Sequence, residues 1–363
     1  MSVLAAIAVL ALLIVVHELG HFLAARLQGI YANRFSIGFG PVLLKYQGPE
    51  TEYALRAFPL GGFVGFPDDD PDSTIPKDDP NLLKNRPVLD RAIVISAGVI
   101  SNLIFAYLLL VIQLGVVGIP KSFNYEPGVL VPSVVSQDSV AAQAGIREGD
   151  LIVAVNGTPL QASDKATAQL RSAIESNPNK PIKLTLKRDT ESLTVNVTPK
   201  LDADGKSRIG VQLLPNGNTV YEHPSNPIAL FTTAADEFQR IVVLTVQGFG
   251  QLITNFGQVA NQVAGPVKIV EQGARLVNSD ASRLFSFAAL ISINLAIINI
   301  LPLPALDGGH LAFLLIEGLR GKPLPSKIQD GVMQTGLMLL LGLGVFLIVR
   351  DTTQLESVQR LFR

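Results

Sequence analysis

Cysteine is absent from the 363-residue chain, which excludes disulfides, thiolate metal sites and cysteine nucleophiles. Charge is scarce as well: 16% of residues are Asp, Glu, Lys or Arg and 48% are hydrophobic, whereas soluble domains carry roughly 25% charged residues. With 29 basic and 30 acidic side chains the formal net charge is -1, so bulk charge offers no footing for nucleic acid. Histidine is rare, at positions 17, 21, 223 and 310. Any resident metal must therefore be held by those few imidazoles and by carboxylates. The length allows two or three domains, and the composition points towards lipid.

What the chain does have is long uncharged apolar runs. Ser2 to Val16 carries no charge, and with Phe22, Leu23 and the alanines beyond it approaches the ~20 residues that cross a bilayer. A cleaved signal peptide is the competing reading. No basic stretch precedes the run, however, and cleavage would fall among His17, Glu18 and His21. Further spans are expected at Ala92 to Val117, Leu284 to Leu301 and Val332 to Val349. Arg26, Arg34, Lys45, Arg56, Lys84, Arg86 and Arg91 follow the first span, and Arg320, Lys322 and Lys327 follow the third. Basic loops stay on the cytoplasmic side, so these loops are expected inside and both termini outside. A fifth span within Asn226 to Ser282 would reverse the third span, and the residues there fit amphipathic helices on the outer surface instead.

Polar residues inside the spans need a reason, because a charge at the bilayer centre costs about 2.5–3.5 kcal/mol even on lenient scales. His17-Glu18-Leu19-Gly20-His21 is an H-E-x-x-H run, which on a helix brings both imidazoles to one face a turn apart, able to grip one ion. Glu18 stands beside the first ligand, placed to take a proton from water that the metal acidifies. The alternative is a set of polar residues snorkelling to the interface near Arg26. A catalytic zinc usually has three protein ligands and an open position. The third candidates are Asp307, after the proline-broken end of the third span, then His310, and more weakly Glu317.

Two motifs, His17 to His21 and Asn299-Ile-Leu-Pro-Leu-Pro-Ala-Leu-Asp307-Gly308, resemble those of the site-2 protease family of intramembrane zinc metalloproteases. The similarity continues through Gly38-Phe39-Gly40-Pro41, Pro59-Leu60-Gly61-Gly62-Phe63-Val64, Gly98 with Asn102, and Gly265-Pro266-Val267. It covers nearly the whole chain and looks like the bacterial and plastid-type branch with a single PDZ domain, departing at Val99, where that branch commonly has proline. The resemblance implies that His17, His21 and Asp307 bind Zn2+, that Glu18 is the general base, and that Asn299, with Asn294, holds the substrate backbone. An unwound substrate helix would need such partners, because its amides lose their own inside the bilayer. It also implies that Phe35 to Val64, a hairpin pattern by its alternation, forms a re-entrant sheet able to pair with substrate.

Ala144-Gly145-Ile146-Arg147-Glu148-Gly149-Asp150 and the run through Gly157 are similar to bacterial PDZ domains. Such a domain could screen substrates by size. The fold class is then a polytopic α-helical membrane protein with four transmembrane helices, a membrane-associated β-hairpin region and an inserted α+β PDZ domain. Its expected parts are a first transmembrane helix (1–25), a cytoplasmic or re-entrant hairpin region with a mobile acidic linker (26–90), a second helix (91–118) and the extracytoplasmic PDZ domain (119–215). Extracytoplasmic amphipathic helices (216–283), a third helix (284–303), a metal-ligand loop with a cytoplasmic segment (304–331), a fourth helix (332–350) and a C-terminal tail (351–363) follow. The expected activity is hydrolysis of a peptide bond in or near the transmembrane helix of a single-span protein, such as an anti-sigma factor or another membrane-tethered regulator. The membrane would be a bacterial inner membrane or a plastid one, with the active site towards the cytoplasm. Two other classes fit the same features: a PDZ-bearing adaptor with a vestigial metal site, and a metal transporter.

Overall fold

The computed structural model describes residues 2–70, 73–135, 138–202, 205–255, 257, 263–279 and 282–354. The expected tail at 351–363 lies outside them from residue 355 onward. The chain divides into two compact units, one of residues 1–117 with 224–363 and one of Gly118–His223.

The first unit is built on helices whose apolar runs leave no polar face to expose. Helices α1 (Ser2–Leu27), α2 (Val88–Val116), α7 (Arg283–Ile300) and α9 (Ser326–Gln354) include the 4 segments, among the described residues, that are long and apolar enough to cross a membrane. Between α1 and α2 lie strands β1 (Arg34–Gln47) and β2 (Glu52–Gly65). They contain the expected hairpin, in 42–47 against 52–56, and extend it with further pairing. Each strand is kinked into two limbs, β1 where Gly38 (φ 86°) and Gly40 (φ 83°) take backbone angles that side chains resist. Limb 34–37 pairs in parallel with 52–55 on one side and antiparallel with 62–65 on the other, while 42–47 pairs antiparallel with 52–56. The limb at 62–65 is consequently an edge. Phe22 of α1 packs on Phe35 at a ring distance of 5.3 Å, and Val15, Ile37 and Val64 close the same apolar cluster, fixing this sheet against α1.

The acidic linker is tied down rather than loose over its described part. Asp68 accepts hydrogen bonds from the Leu83 and Lys84 amides, both at 3.0 Å, Asp79 accepts from the Asn81 amide at 2.8 Å, and Arg34 pairs with Asp70. Composition alone cannot distinguish carboxylates that cap turns from carboxylates that merely solvate a tether.

Among residues 224–363, α5 (Pro227–Thr254) starts at an Asn226 side-chain cap and packs along the spans themselves. Tyr107 of α2 donates to the Phe231 carbonyl at 3.0 Å and its ring meets Phe238 edge-on. Helix α6 (Pro266–Ser279) approaches Ala6 of α1 through Gly273, and the far end of α9 holds the start of α6 through Asp351, which accepts from the Lys268 amide at 3.2 Å. After α7 the prolines at 302 and 304 stop the helix, and Ala305 turns the chain at φ 68° into α8 (Asp307–Arg320).

The second unit carries a sheet in the order β10-β3-β4-β6-β7, with β5 (Thr158–Pro159) paired to β4. Its strands are β3 (Ile119–Leu130), β4 (Leu151–Val155), β6 (Ile182–Arg188), β7 (Glu191–Val197) and β10 (Leu214–Glu222), with β8 (Lys200–Leu201) and β9 (Ser207–Arg208) as a separate pair. Helices α3 (Val140–Gln143) and α4 (Ala166–Glu175) complete it. Leu170 and Ile174 of α4 close a core with Val129, Ile152, Leu184 and Leu186. Strand β10 corrects the expectation of helix from residue 216 onward. Its Thr219-Val220-Tyr221 run favours a pleated surface, and it pairs antiparallel with β3. Arg188 grips Asp150, which is 1% exposed, through two hydrogen bonds of 2.7 and 2.8 Å, and the Arg147 amide adds a third at 2.8 Å.

Candidate metal centre

The centre begins with the helical spacing of His17 and His21, whose Nε2 atoms lie 3.2 Å apart. Asp307 Oδ2 approaches them at 3.2 and 3.4 Å, so the three atoms form a nearly equilateral triangle. Asp307 does not sit in an unwound stretch, as its two flanking prolines suggest, but opens the first turn of α8. There the helix dipole favours a carboxylate. Gly308 makes this reversal possible, because a Cβ at that position would strike the Ile300 and Leu301 carbonyls at the end of α7.

The donor chemistry of this triangle suits a cation. His21 Nδ1 is 2.9 Å from the Val94 carbonyl, so its proton is committed there and Nε2 presents a lone pair. Asp307 Oδ2 is buried without a hydrogen bond. Facing lone pairs and an unsatisfied carboxylate oxygen are costly unless a positive charge lies among them. Ligands bound at about 2.0–2.2 Å in a tetrahedron stand roughly 3.3–3.6 Å apart, close to the separations observed, and two imidazoles with one carboxylate are a donor set that zinc takes. The residues fit a zinc ion.

Helix α2 is the second wall. At Gly98 an added Cβ would collide with both imidazoles, so only glycine lets the helix pass so close to the ligands. Ser101 Oγ donates to the Val16 carbonyl of α1 at 2.9 Å, and the Asn102 amide nitrogen stands 3.3 Å from His17 Nδ1. The sequence alone assigns Ser101 no role, and gives Gly98 and Asn102 only as shared motif positions. The signal available was two polar residues, at 101 and 102, in an apolar span, one of them four after a glycine.

Glu18 lies within electrostatic reach of His17, His21 and Asp307, and the Val64 amide faces its carboxylate. Gly62, on the same edge limb, packs beside the Glu18 side chain. Asn299 reaches the centre, its amide nitrogen 3.4 Å from His17 Nε2. Asn294 does not: it lines a cavity of about 530 Å³ with residues of α5, α6 and α7. Five residues of helix rotate by roughly 140° beyond a full turn, so the two asparagines face different neighbours. Of the other candidate ligands, Glu317 is engaged by Arg91 and His310 is exposed outside the cluster.

The model of peptidase family M50 matches residues 5–343. A Nostoc sp. protein carrying a zinc metalloprotease name is 64% identical over 100% of both chains. The membrane metalloprotease ARASP, chloroplastic, of Arabidopsis thaliana is 49% identical over 99% of this chain and 80% of its own. The Regulator of sigma-E protease RseP of Salmonella typhimurium is 30% identical over 93% of this chain and 96% of its own. Among solved structures, the PDZ domain of an SdrC-like protein from Listeria monocytogenes is 22% identical, covering 26% of this chain and 94% of that one with a TM-score of 0.21. The relatives match over their length, and among the described residues four helices are long and apolar enough to cross a membrane. The chain is an integral membrane protein that belongs to peptidase family M50, the site-2 metalloproteases.

Proposed function

We propose that this protein is an intramembrane zinc endopeptidase that hydrolyses a peptide bond in or near the transmembrane helix of another membrane protein. The observation that carries this reading is the convergence of His17, His21 and Asp307 between helices long and apolar enough to span a bilayer. These three residues would hold the metal. When bound, zinc supplies Lewis acidity and lowers the pKa of water at the site. Glu18 then takes a proton from the attacking water and delivers it to the leaving amine. The Asn299 amide, beside His17, holds the substrate backbone near the reacting carbonyl.

A helical substrate hides its amides in its own hydrogen bonds, so it must unwind and find new partners. The edge limb at 62–65, which borders Glu18, offers them by strand addition. The basic loops after the first and third spans favour a centre towards the cytoplasmic side, with Gly118–His223 on the opposite side. Cleavage there releases the cytoplasmic part of a single-span regulator, for example an anti-sigma factor, in a bacterial inner membrane or a plastid membrane.

The Gly118–His223 unit acts as a PDZ module for an extended peptide. A cavity of about 530 Å³ runs between α4, through Arg171 and Ile174, and residues 207–214. The Val135 amide donates to the Gly210 carbonyl and the Gln212 amide to the Ser133 carbonyl, which leaves the backbone groups of Val211 directed to the other edge, as antiparallel alternation requires.

The test is purified full-length protein with a single-span model substrate. Wild type is expected to hold one zinc per chain and to cleave, and Glu18→Gln to retain zinc while losing about 10²–10⁴-fold in rate. Unchanged substrate processing in cells carrying Glu18→Gln would leave the adaptor reading in its place, and zinc flux through proteoliposomes would replace both with a transporter.

A further inference from the structure

The metal-ligating histidines lie on α1, yet the groups that meet their outer nitrogens all come from α2. The Val94 carbonyl takes the His21 Nδ1 proton at 2.9 Å. Eight residues further along the same face, past the opening at Gly98, the Asn102 side chain reaches His17 Nδ1 at 3.3 Å. Asn102 is fully buried, and its backbone carbonyl accepts a 2.8 Å hydrogen bond from Ser292 of α7, so its side chain is held at the level of His17. As oriented, its amide nitrogen faces the imidazole and its Oδ1 has no partner among the described residues.

That orientation conflicts with the ligand role of His17. A neutral imidazole carries one proton, and if Nε2 is the metal-binding atom the proton resides on Nδ1. An Nδ1–H opposed by an amide NH2 brings two donors together. Turning the amide about its last bond by half a rotation exchanges nitrogen for oxygen at almost no change in shape. Oδ1 then becomes the acceptor.

We propose that Asn102 is a positioning residue for the metal centre: its Oδ1 accepts the His17 Nδ1 proton, fixing both the ring orientation and the tautomer that leaves Nε2 free for zinc. This rests on the reading of His17, His21 and Asp307 as a zinc site. The two histidines are thus served differently. His21 lies against the glycine-opened backbone and uses a carbonyl, while His17, a turn away, is met by a side chain.

The experiment measures zinc affinity of the full-length protein by chelator competition for wild type, Asn102→Leu and Asn102→Asp. Losing an outer partner of a metal-bound histidine weakens binding by about 10–100-fold, the loss expected for Leu, whereas Asp keeps the acceptor and should stay within about threefold of wild type. A role in packing alone gives the opposite order, since Leu matches the volume and Asp introduces a charge. Wild-type affinity in Asn102→Leu, or an equal loss in Asn102→Asp, overturns the proposal. If Asn102→Leu does not fold, 15N spectra of histidine-labelled, zinc-loaded wild type decide: His17 protonated at Nδ1 is expected, and His17 protonated at Nε2 overturns it. A wild type that binds no zinc removes the metal reading itself, an outcome distinct from any difference among the variants.

Discussion

Asp150 and Asp307 are two shielded carboxylates with opposite surroundings. Asp150, in the Gly118–His223 unit, has both oxygens occupied, by Arg188 and by the Arg147 amide. Asp307 has Oδ2 shielded from solvent without a hydrogen bond and aimed at two imidazole nitrogens. The first is a finished structural element, in which the cation is a side chain of the same fold. The second is complete only with a cation from outside. Both have oxygen atoms shielded from solvent, so the partner set, and not the shielding, separates a site from a brace.

The largest expected effect falls on Asp307. Asp307→Ala should lower zinc affinity by more than about 100-fold, since removing even an outer-shell partner costs 10–100-fold. In zinc-free protein the same change should be neutral or stabilising by about 1–3 kcal/mol, because it deletes an unsatisfied buried acceptor. Metal analysis and thermal unfolding read the two effects, and a zinc-free Asp307→Ala that melts well below wild type would break the comparison.

Arg188→Ala should act in the other direction, destabilising the Gly118–His223 unit by roughly 3 kcal/mol by stranding the Asp150 carboxylate. Zinc content should not change. Hydrogen exchange across β4 and β6 in the full-length protein measures the first, and protection equal to wild type would show that the pair contributes nothing.

The smallest effect is a pH dependence. Burial pushes the Asp150 carboxyl upward, but the hydrogen bonds from Arg188 and Arg147 and the attraction of their charges outweigh it and hold the group below its ordinary value. A carboxylate with a depressed folded-state pKa contributes its full stability above the unfolded value of about 3.9 and loses it as pH falls through the folded value. Protection in β4 and β6 should therefore decline on acidification below about pH 4. Asp150→Asn should flatten that decline; an unchanged acid profile in the variant assigns the loss to other groups.

How much of the molecule was legible in advance differs along the chain. The four spans follow from local signals, uncharged runs of bilayer length. Alternation predicts the hairpin that 42–47 and 52–56 form, but it does not reveal the added pairing of limb 34–37, which has one parallel and one antiparallel neighbour. Strand β10 is hard to read from sequence because a short run of Thr, Val and Tyr beside a long helical segment carries little signal until β3 supplies its partner. At the centre, His17, Glu18 and His21 announce themselves by spacing, whereas Asn294 and Asn299 look alike in sequence and separate only once the neighbours of each helix face are known.

The sequence by itself determined the membrane spans, the pair of imidazoles on one helical face and the glutamate beside them, because each of these is a short-range property of a helix. The motif resemblance already pointed to Asp307 over His310 and Glu317, but only the tertiary structure brings its carboxylate to those imidazoles and makes α2 supply the partners of their outer nitrogens. Those outcomes depend on how close two helices approach, and it is the missing side chain at Gly98 and the tight reversal at Gly308 that set the approach.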